Sequence, residues 1–125
     1  MPQYRTTVKL RDAADKSKVT RLRLHFAHKR SDLPPAVPLL FVHGWPDSFL
    51  EALKIIEPLC NPLFLPSDVN RSVTAFNVVV PSVPGFGFGD PSPSDDFGLE
   101  ETADAFDALM TRLGYSKYIV HGTGW

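Results

Sequence analysis

The sequence predicts an α/β domain in which an N-terminal β-hairpin is followed by parallel strands with flanking helices. Three observations carry that expectation. Leu39-Leu40-Phe41-Val42 and Phe76-Asn77-Val78-Val79-Val80 are apolar, largely unalternated runs, as strands covered on both faces require. Residues 49–59 and 99–113 repeat apolar side chains at helical spacing. Ahead of both, residues 4–11 and 21–26 alternate apolar and polar side chains with period two, the pattern of half-exposed strands.

In the hairpin, Tyr4, Thr6, Val8 and Leu10 alternate with Arg5, Thr7, Lys9 and Arg11, while Leu22, Leu24 and Phe26 alternate with Arg21, Arg23 and His25. Asp12 to Ser17 connects the two strands. His25 shares its face with Arg21 and Arg23 and is expected to be solvated; neither it nor His28 stands at a metal-ligand spacing. A Pro-rich link, Ser31 to Pro38, leads into the first buried strand. Asp47 or Ser48 is placed to cap a helix that runs to about Leu59 with Phe49, Leu53 and Ile56 inward, and Pro58 should end or distort its last turn. Cys60 then falls just past the helix end. Asn61 to Ser72 reads as surface loop, and Pro81 stops the second buried strand. Leu99, Ala103, Phe106, Met110 and Leu113 mark the apolar face of a second helix, with Glu100 and Glu101 in its first turn and Gly114 just after its end. Asp104 and Asp107 lie off that face and are expected to be solvated. Tyr118-Ile119-Val120 begins a third strand, again expected to be buried.

Composition narrows the function classes. The 125 residues, 43% hydrophobic and 22% charged, suit one small globular domain and not a disordered chain. The net charge of -1 is uneven, since residues 1–30 carry nine basic and two acidic side chains and the remainder sums to -8. These basic residues alternate with apolar ones along the chain, so a solvated hairpin face is expected in preference to a nucleic-acid or membrane site. The lone Cys60 allows no internal disulfide and fits a reducing compartment. The polar N-terminus, Met1 to Thr6, has no signal-like apolar segment, and the chain contains no apolar span of about 20 residues. A cytoplasmic location without a membrane anchor is therefore expected.

The stretch Leu39 to Ser48 organises the chain. A buried strand runs into His43-Gly44-Trp45-Pro46, where Gly44 permits unusual backbone angles and Pro46 fixes its own φ, so the strand tip should be a rigid loop with free backbone N–H groups. The alternating glycines of Pro84-Gly85-Phe86-Gly87-Phe88-Gly89-Asp90-Pro91 do not make a phosphate loop, because no helix opens on them. Phe86 and Phe88 either wall a substrate cavity or fill the core.

His-Gly-Trp-Pro at 43–46, Phe76 to Phe88, and Phe97-Gly98-Leu99-Glu100-Glu101-Thr102-Ala103 running on to Arg112-Leu113-Gly114-Tyr115 occur in the order found in the epoxide hydrolase branch of the α/β-hydrolase superfamily, and resemble its microsomal-like subfamily. The resemblance covers only the N-terminal part of the family's catalytic domain. It implies a partial α/β-hydrolase fold lacking the lid and C-terminal strands: an incomplete domain over 1–125, with the hairpin at 1–30 and a β-α-β-α-β core at 36–125 ending at the nucleophile elbow.

The family opens an epoxide to a diol through an alkyl-enzyme ester, formed by an Asp of that elbow and hydrolysed by a His-activated water, with no metal or organic cofactor. By resemblance, the backbone N–H groups of Trp45 and Trp125 form the oxyanion hole, and the nucleophile position is 124, where this sequence has Gly124. Thr123 and His121 are not expected to replace the missing carboxylate. His43, Gly44, Pro46, Phe86 and Phe88 are the candidate binding residues, with His43 bracing the loop by hydrogen bonding. The leading expectation is an epoxide hydrolase-like protein that is truncated and inactive alone, a pseudoenzyme reading, whose substrate if completed is a small apolar epoxide. The alternatives are a non-catalytic interaction module pairing through an apolar edge strand, as a homodimer or with a separate C-terminal half, and a fragment without a stable fold.

Overall fold

The computed structural model of the chain describes residues 3–11, 19–33, 35–44, 49–62, 74–83 and 99–122. Five strands form one mixed sheet: β1 (Gln3–Arg11), β2 (Val19–Lys29), β3 (Ala36–Val42), β4 (Ala75–Pro81) and β5 (Ile119–Gly122), in the order β1-β2-β4-β3-β5. The hairpin pairs antiparallel in the register Arg5↔His25, Thr7↔Arg23, Lys9↔Arg21, and β2 pairs antiparallel with β4. β3 lies parallel to both β4 and β5. A single 3-10 turn, Phe49–Ala52, leads into α1 (Leu53–Cys60) between β3 and β4, and α2 (Leu99–Arg112) joins β4 to β5.

Each face of the sheet has its own core. Ala27, Leu39, Phe41, Val78 and Val80 pack with Ala52, Ile56 and Cys60 of the α1 side. On the opposite face Val8, Leu22, Leu24, Phe26, Leu40 and Val79 pack with Ala105, Phe106, Leu109 and Met110 of α2. β3 and β4 contribute to both cores, which is why their sequences lack alternation. The hairpin is covered by α2 on one face, which is why its sequence alternates. Each fully buried Leu or Val side chain contributes roughly 1.5–3 kcal/mol of hydrophobic stabilisation.

Five expectations need correction. His25 is not solvated: it is only 5% exposed, because β2 is an interior strand whose C-terminal half runs against β4. Cys60 is the last residue of α1, not beyond it, and is fully buried with its thiol donating to the Lys29 carbonyl at 3.4 Å. Pro58 is accommodated inside the last turn of that helix. The buried stripe of α2 is Ala105, Phe106, Leu109 and Met110, whereas Leu99 is 90% exposed and Ala103 is also exposed, since only the later turns of the helix lie over the sheet. Among the described residues β5 is an edge strand with Ile119 52% and Val120 57% exposed, because its one neighbour there is β3 and neither helix covers it. Its apolar sequence reports a strand, not what covers it. The expected Asp47 or Ser48 cap lies outside the described residues.

The C-terminus of α2 is closed by paired bonds from Tyr115 N–H to the Met110 carbonyl (2.9 Å) and from Gly114 N–H to the Thr111 carbonyl (3.0 Å), with Gly114 at φ +92°. This is a Schellman cap, and it requires the left-handed conformation at Gly114. Although a Cβ at Gly114 would meet nothing within 4 Å, Gly114→Ala is expected to cost about 1–2 kcal/mol through backbone strain alone. Gly122→Ala, in equally open space and without a positive φ, should be close to neutral. Urea unfolding of the two variants separates backbone strain from steric effects, and equal costs would contradict this account.

Candidate active site

The chain leaves β3 for α1 on one face of the sheet and leaves β4 for α2 on the other, so the two connections part above adjacent strand tips. Open α/β sheets bind ligands at such a switch point, beyond the C-terminal ends of the strands. Here the tips are His43-Gly44 after β3, Ser82-Val83 after β4 and His121-Gly122 at the end of β5.

His43 links the tips of β3 and β4. Its Nε2 accepts the Val83 backbone N–H at 2.8 Å, and its Nδ1–H donates to the Gly44 carbonyl at 3.0 Å. These partners fix the tautomer, with the proton on Nδ1 and the lone pair of Nε2 accepting the Val83 N–H. The ring is 4% exposed and holds the backbones of two strand tips in one relative position.

A second imidazole does the same between β2 and β4. The Ser82 hydroxyl donates to His25 Nδ1 at 2.7 Å, and His25 Nε2–H donates to the Gln3 side-chain oxygen at 2.9 Å, while the Ser82 N–H donates to the His25 carbonyl at 2.8 Å. Ser82 is fully buried, so this serine–histidine pair is closed to substrate. Burial, reinforced by the Arg5 charge, pushes the His25 imidazole below its ordinary value. On the α2 face, the His28 ring makes a hydrogen bond with the Tyr115 hydroxyl at 2.9 Å; burial and the Arg30 charge lower it in the same way. Tyr118 donates to Asp107 at 2.6 Å, and burial together with that carboxylate pushes its phenol up to about 12. Asp107 is exposed, as expected, and also ties Tyr118 to α2 just ahead of β5.

Of the candidate residues, the structure describes His43 and Gly44, both buried at the tip of β3. Trp45, Pro46, Phe86, Phe88, Gly124 and Trp125 lie outside the described residues. His121 stacks on Phe41 at 5.4 Å on the α1 face. The Ser82–His25–Gln3 chain escaped the sequence reading. Its one signal is a polar residue between Pro81 and the Val83-Pro84 pair at the end of a buried run. No group of three or more His, Cys, Asp or Glu able to hold a metal occurs among the described residues.

The lowered His25 and His28 pKa values set a pH dependence. The unfolded chain takes up these protons near pH 6.5, whereas the folded chain does so only at lower pH, so stability rises with pH across that interval and falls on acidification. Urea unfolding between about pH 7 and pH 5 should lose up to roughly 1.4 kcal/mol per pH unit for each imidazole. His25→Gln should reduce that slope, and an unchanged slope would refute the assignment. His43→Ala should cost about 1–3 kcal/mol by leaving the Val83 N–H without its acceptor. A thermal or urea midpoint equal to that of the unaltered chain would show that the bridge carries no weight.

Comparison with known proteins agrees with this architecture. The profile described as "Epoxide hydrolase N terminus" matches residues 1–52, and that described as "alpha/beta hydrolase fold" matches residues 37–125. Epoxide hydrolase 1 of Oryctolagus cuniculus is 40% identical over 114 residues, covering 88% of this chain and 24% of the relative. The crystal structure of juvenile hormone epoxide hydrolase from the silkworm Bombyx mori superposes with a TM-score of 0.68 at 36% identity, over 83% of this chain and 24% of that one. Aspergillus niger epoxide hydrolase gives 0.66 at 33% identity, over 98% and 28%. The chain spans about a quarter of the length of the curated relatives it matches. No helix among the described residues is long and apolar enough to cross a membrane. By strand order, by the position of its switch point and by these matches, the chain belongs to the α/β-hydrolase family and is homologous to epoxide hydrolases.

Proposed function

We propose that residues 1–125 form the N-terminal part of an epoxide hydrolase-type catalytic domain, located in the cytoplasm, whose substrate class is a small apolar epoxide. The observation that carries this reading is the His43 bridge to Val83 at the switch point. It holds the two strand tips from which the His43-Gly44-Trp45-Pro46 and Pro84 to Pro91 segments depart, the segments that supply an oxyanion-hole N–H and an apolar wall in the family. In this reading Trp45 and Trp125 offer backbone N–H groups to the oxyanion of the ester-hydrolysis step. Gly44, Pro46, Phe86 and Phe88 shape the cavity, and His43 positions rather than reacts. Position 124 is where the attacking carboxylate belongs. A carboxylate attacks one ring carbon, the C–O bond breaks, and the epoxide oxygen leaves as an alkoxide that takes a proton. Gly124 has no such group, so the chain does not form the alkyl-enzyme ester by itself.

A second reading is favoured by β5. Its outer edge and its exposed Ile119 and Val120 suit pairing with a further strand, from a second copy or from a separate chain carrying the rest of a hydrolase fold.

The test joins the chain to the complementary C-terminal part of an epoxide hydrolase and exposes it to styrene oxide. Gly124→Asp is expected to give a protein whose intact mass rises by that of the epoxide, followed by release of diol. The unaltered sequence should give neither. Absence of adduct and diol from a folded Gly124→Asp protein would sink position 124 as the nucleophile position, and diol from the unaltered sequence would sink it equally.

A further inference from the structure

We propose that Gln3, in β1 at the end of the sheet away from β5, is a positioning residue for the tips of β3 and β4. Through His25 it sets the hydrogen-bond direction that holds the Ser82-Val83 pair. The inference rests on the reading of those tips as part of an epoxide hydrolase-type site, and deepens it. What carries it is a row of polar groups that crosses the sheet with one member per strand, in the spatial order β1, β2, β4, β3. Gln3 belongs to β1 and His25 to β2, Ser82 follows β4, and His43 follows β3.

The register aligns them. Phe26 pairs with Pro81, so His25 and Ser82 come next in line, and Gln3, opposite Ala27, lies diagonal to His25 across the hairpin. Ala27, Phe41 and Val80, two residues from His25, His43 and Ser82, all pack in the core on the α1 face, so the row lies at the end of that core.

Direction along the row is the informative feature. The Gln3 oxygen accepts from His25 Nε2 at 2.9 Å, and His25 Nδ1 accepts the Ser82 hydroxyl at 2.7 Å. One peptide unit on, the Val83 N–H donates to His43 Nε2 at 2.8 Å. An imidazole and a hydroxyl can each donate or accept, so neither His25 nor Ser82 is bound to one direction by its own chemistry. The amide oxygen of Gln3 only accepts. It draws the ring proton to Nε2 and leaves the Nδ1 lone pair for Ser82, whose N–H is held by the His25 carbonyl at 2.8 Å. The Ser82-Val83 pair thereby donates to His25 on one side and to His43 on the other. With the ring reversed, Nδ1 would donate to the Ser82 oxygen, and the hydroxyl proton would need a new acceptor at a fully buried position. The pair shifts to find one, and the Val83 N–H shifts with it. In the proposed reading the segments leaving these tips supply the oxyanion hole and the cavity wall, so Gln3 acts on the site from the opposite end of the sheet.

Imidazole nitrogen chemical shifts, recorded at about pH 8 where His25 is neutral, test this. The unaltered chain should show His25 protonated at Nε2. Gln3→Ala should lower the ratio of the two His25 tautomers about fivefold, the weight of one ordinary hydrogen bond, and move the Val83 amide signal. Gln3→Glu, which keeps an acceptor at that place, should restore both. A His25 ring protonated at Nδ1 in the unaltered chain would overturn the proposal. So would an unchanged tautomer ratio or Val83 amide in Gln3→Ala, or no restoration by Gln3→Glu. A lower urea midpoint for Gln3→Ala with the ring signals unmoved would make Gln3 a structural contact only, and overturns it equally. No epoxide enters the measurement, so its failure leaves the reading of position 124 standing, and failure of that reading leaves this result standing.

Discussion

The parallel pairing of β3 with β4, buried on both faces, is the constraint from which the rest of the structure follows. Parallel neighbours cannot be joined by a tight turn, so each step needs a crossover, and crossovers are right-handed. From β3 to β4 the chain steps toward the hairpin, and from β4 to β5 it steps back past β3. Opposite steps with one handedness put α1 and α2 on opposite faces. Two separate cores, a hairpin covered on one side, and connections that part above the tips of β3 and β4 are consequences of that arrangement.

The strand tips create a polar problem that two histidines solve. Where the β-ladder ends, backbone N–H groups and hydroxyls at the buried tips lose their regular partners. His43 supplies an acceptor for the Val83 N–H and His25 one for the Ser82 hydroxyl, and each ring uses its second nitrogen as a donor. Among the described residues no buried side-chain nitrogen or oxygen lacks a hydrogen-bond partner. A neutral imidazole with a donor at one end and an acceptor at the other acts as a strut of fixed length. At His25 protonation removes the acceptor end, so there the rigidity of the strand tip and its sensitivity to acid have a common origin.

What the sequence disclosed depended on how local the physics was. The unalternated runs in β3 and β4, the alternation of the hairpin, and Gly114 after α2 each report a constraint imposed within a few residues of themselves, and each was legible. His25 was not, because whether a polar-face residue meets water depends on which strand lies beside it, and Ser82 comes from 57 residues away. Ile119 and Val120 read as buried for the complementary reason, that apolarity fixes a strand's preference but not its neighbours. The stripe of α2 was displaced because periodicity gives the face of a helix and not which of its turns reach the sheet. At the site, the His43-Gly44 motif was legible as a strand tip, while the Val83 partner that gives His43 its role was not.

The same distinction bears on Gly124. Strand order, crossover handedness, both cores and the two imidazole struts draw on residues 3–122, and none of them calls on a side chain at position 124. On the proposed reading of position 124 as the tip of an elbow, small residues are favoured there, so glycine is easy for the fold to accept whatever it does to the chemistry. Family architecture and the absence of a carboxylate at 124 are therefore not in tension: one is maintained by distributed packing, the other turns on a single functional group. Stability measurements on this chain are blind to that group, and only chemistry at the epoxide carbon distinguishes a hydrolase from a scaffold that has kept its shape.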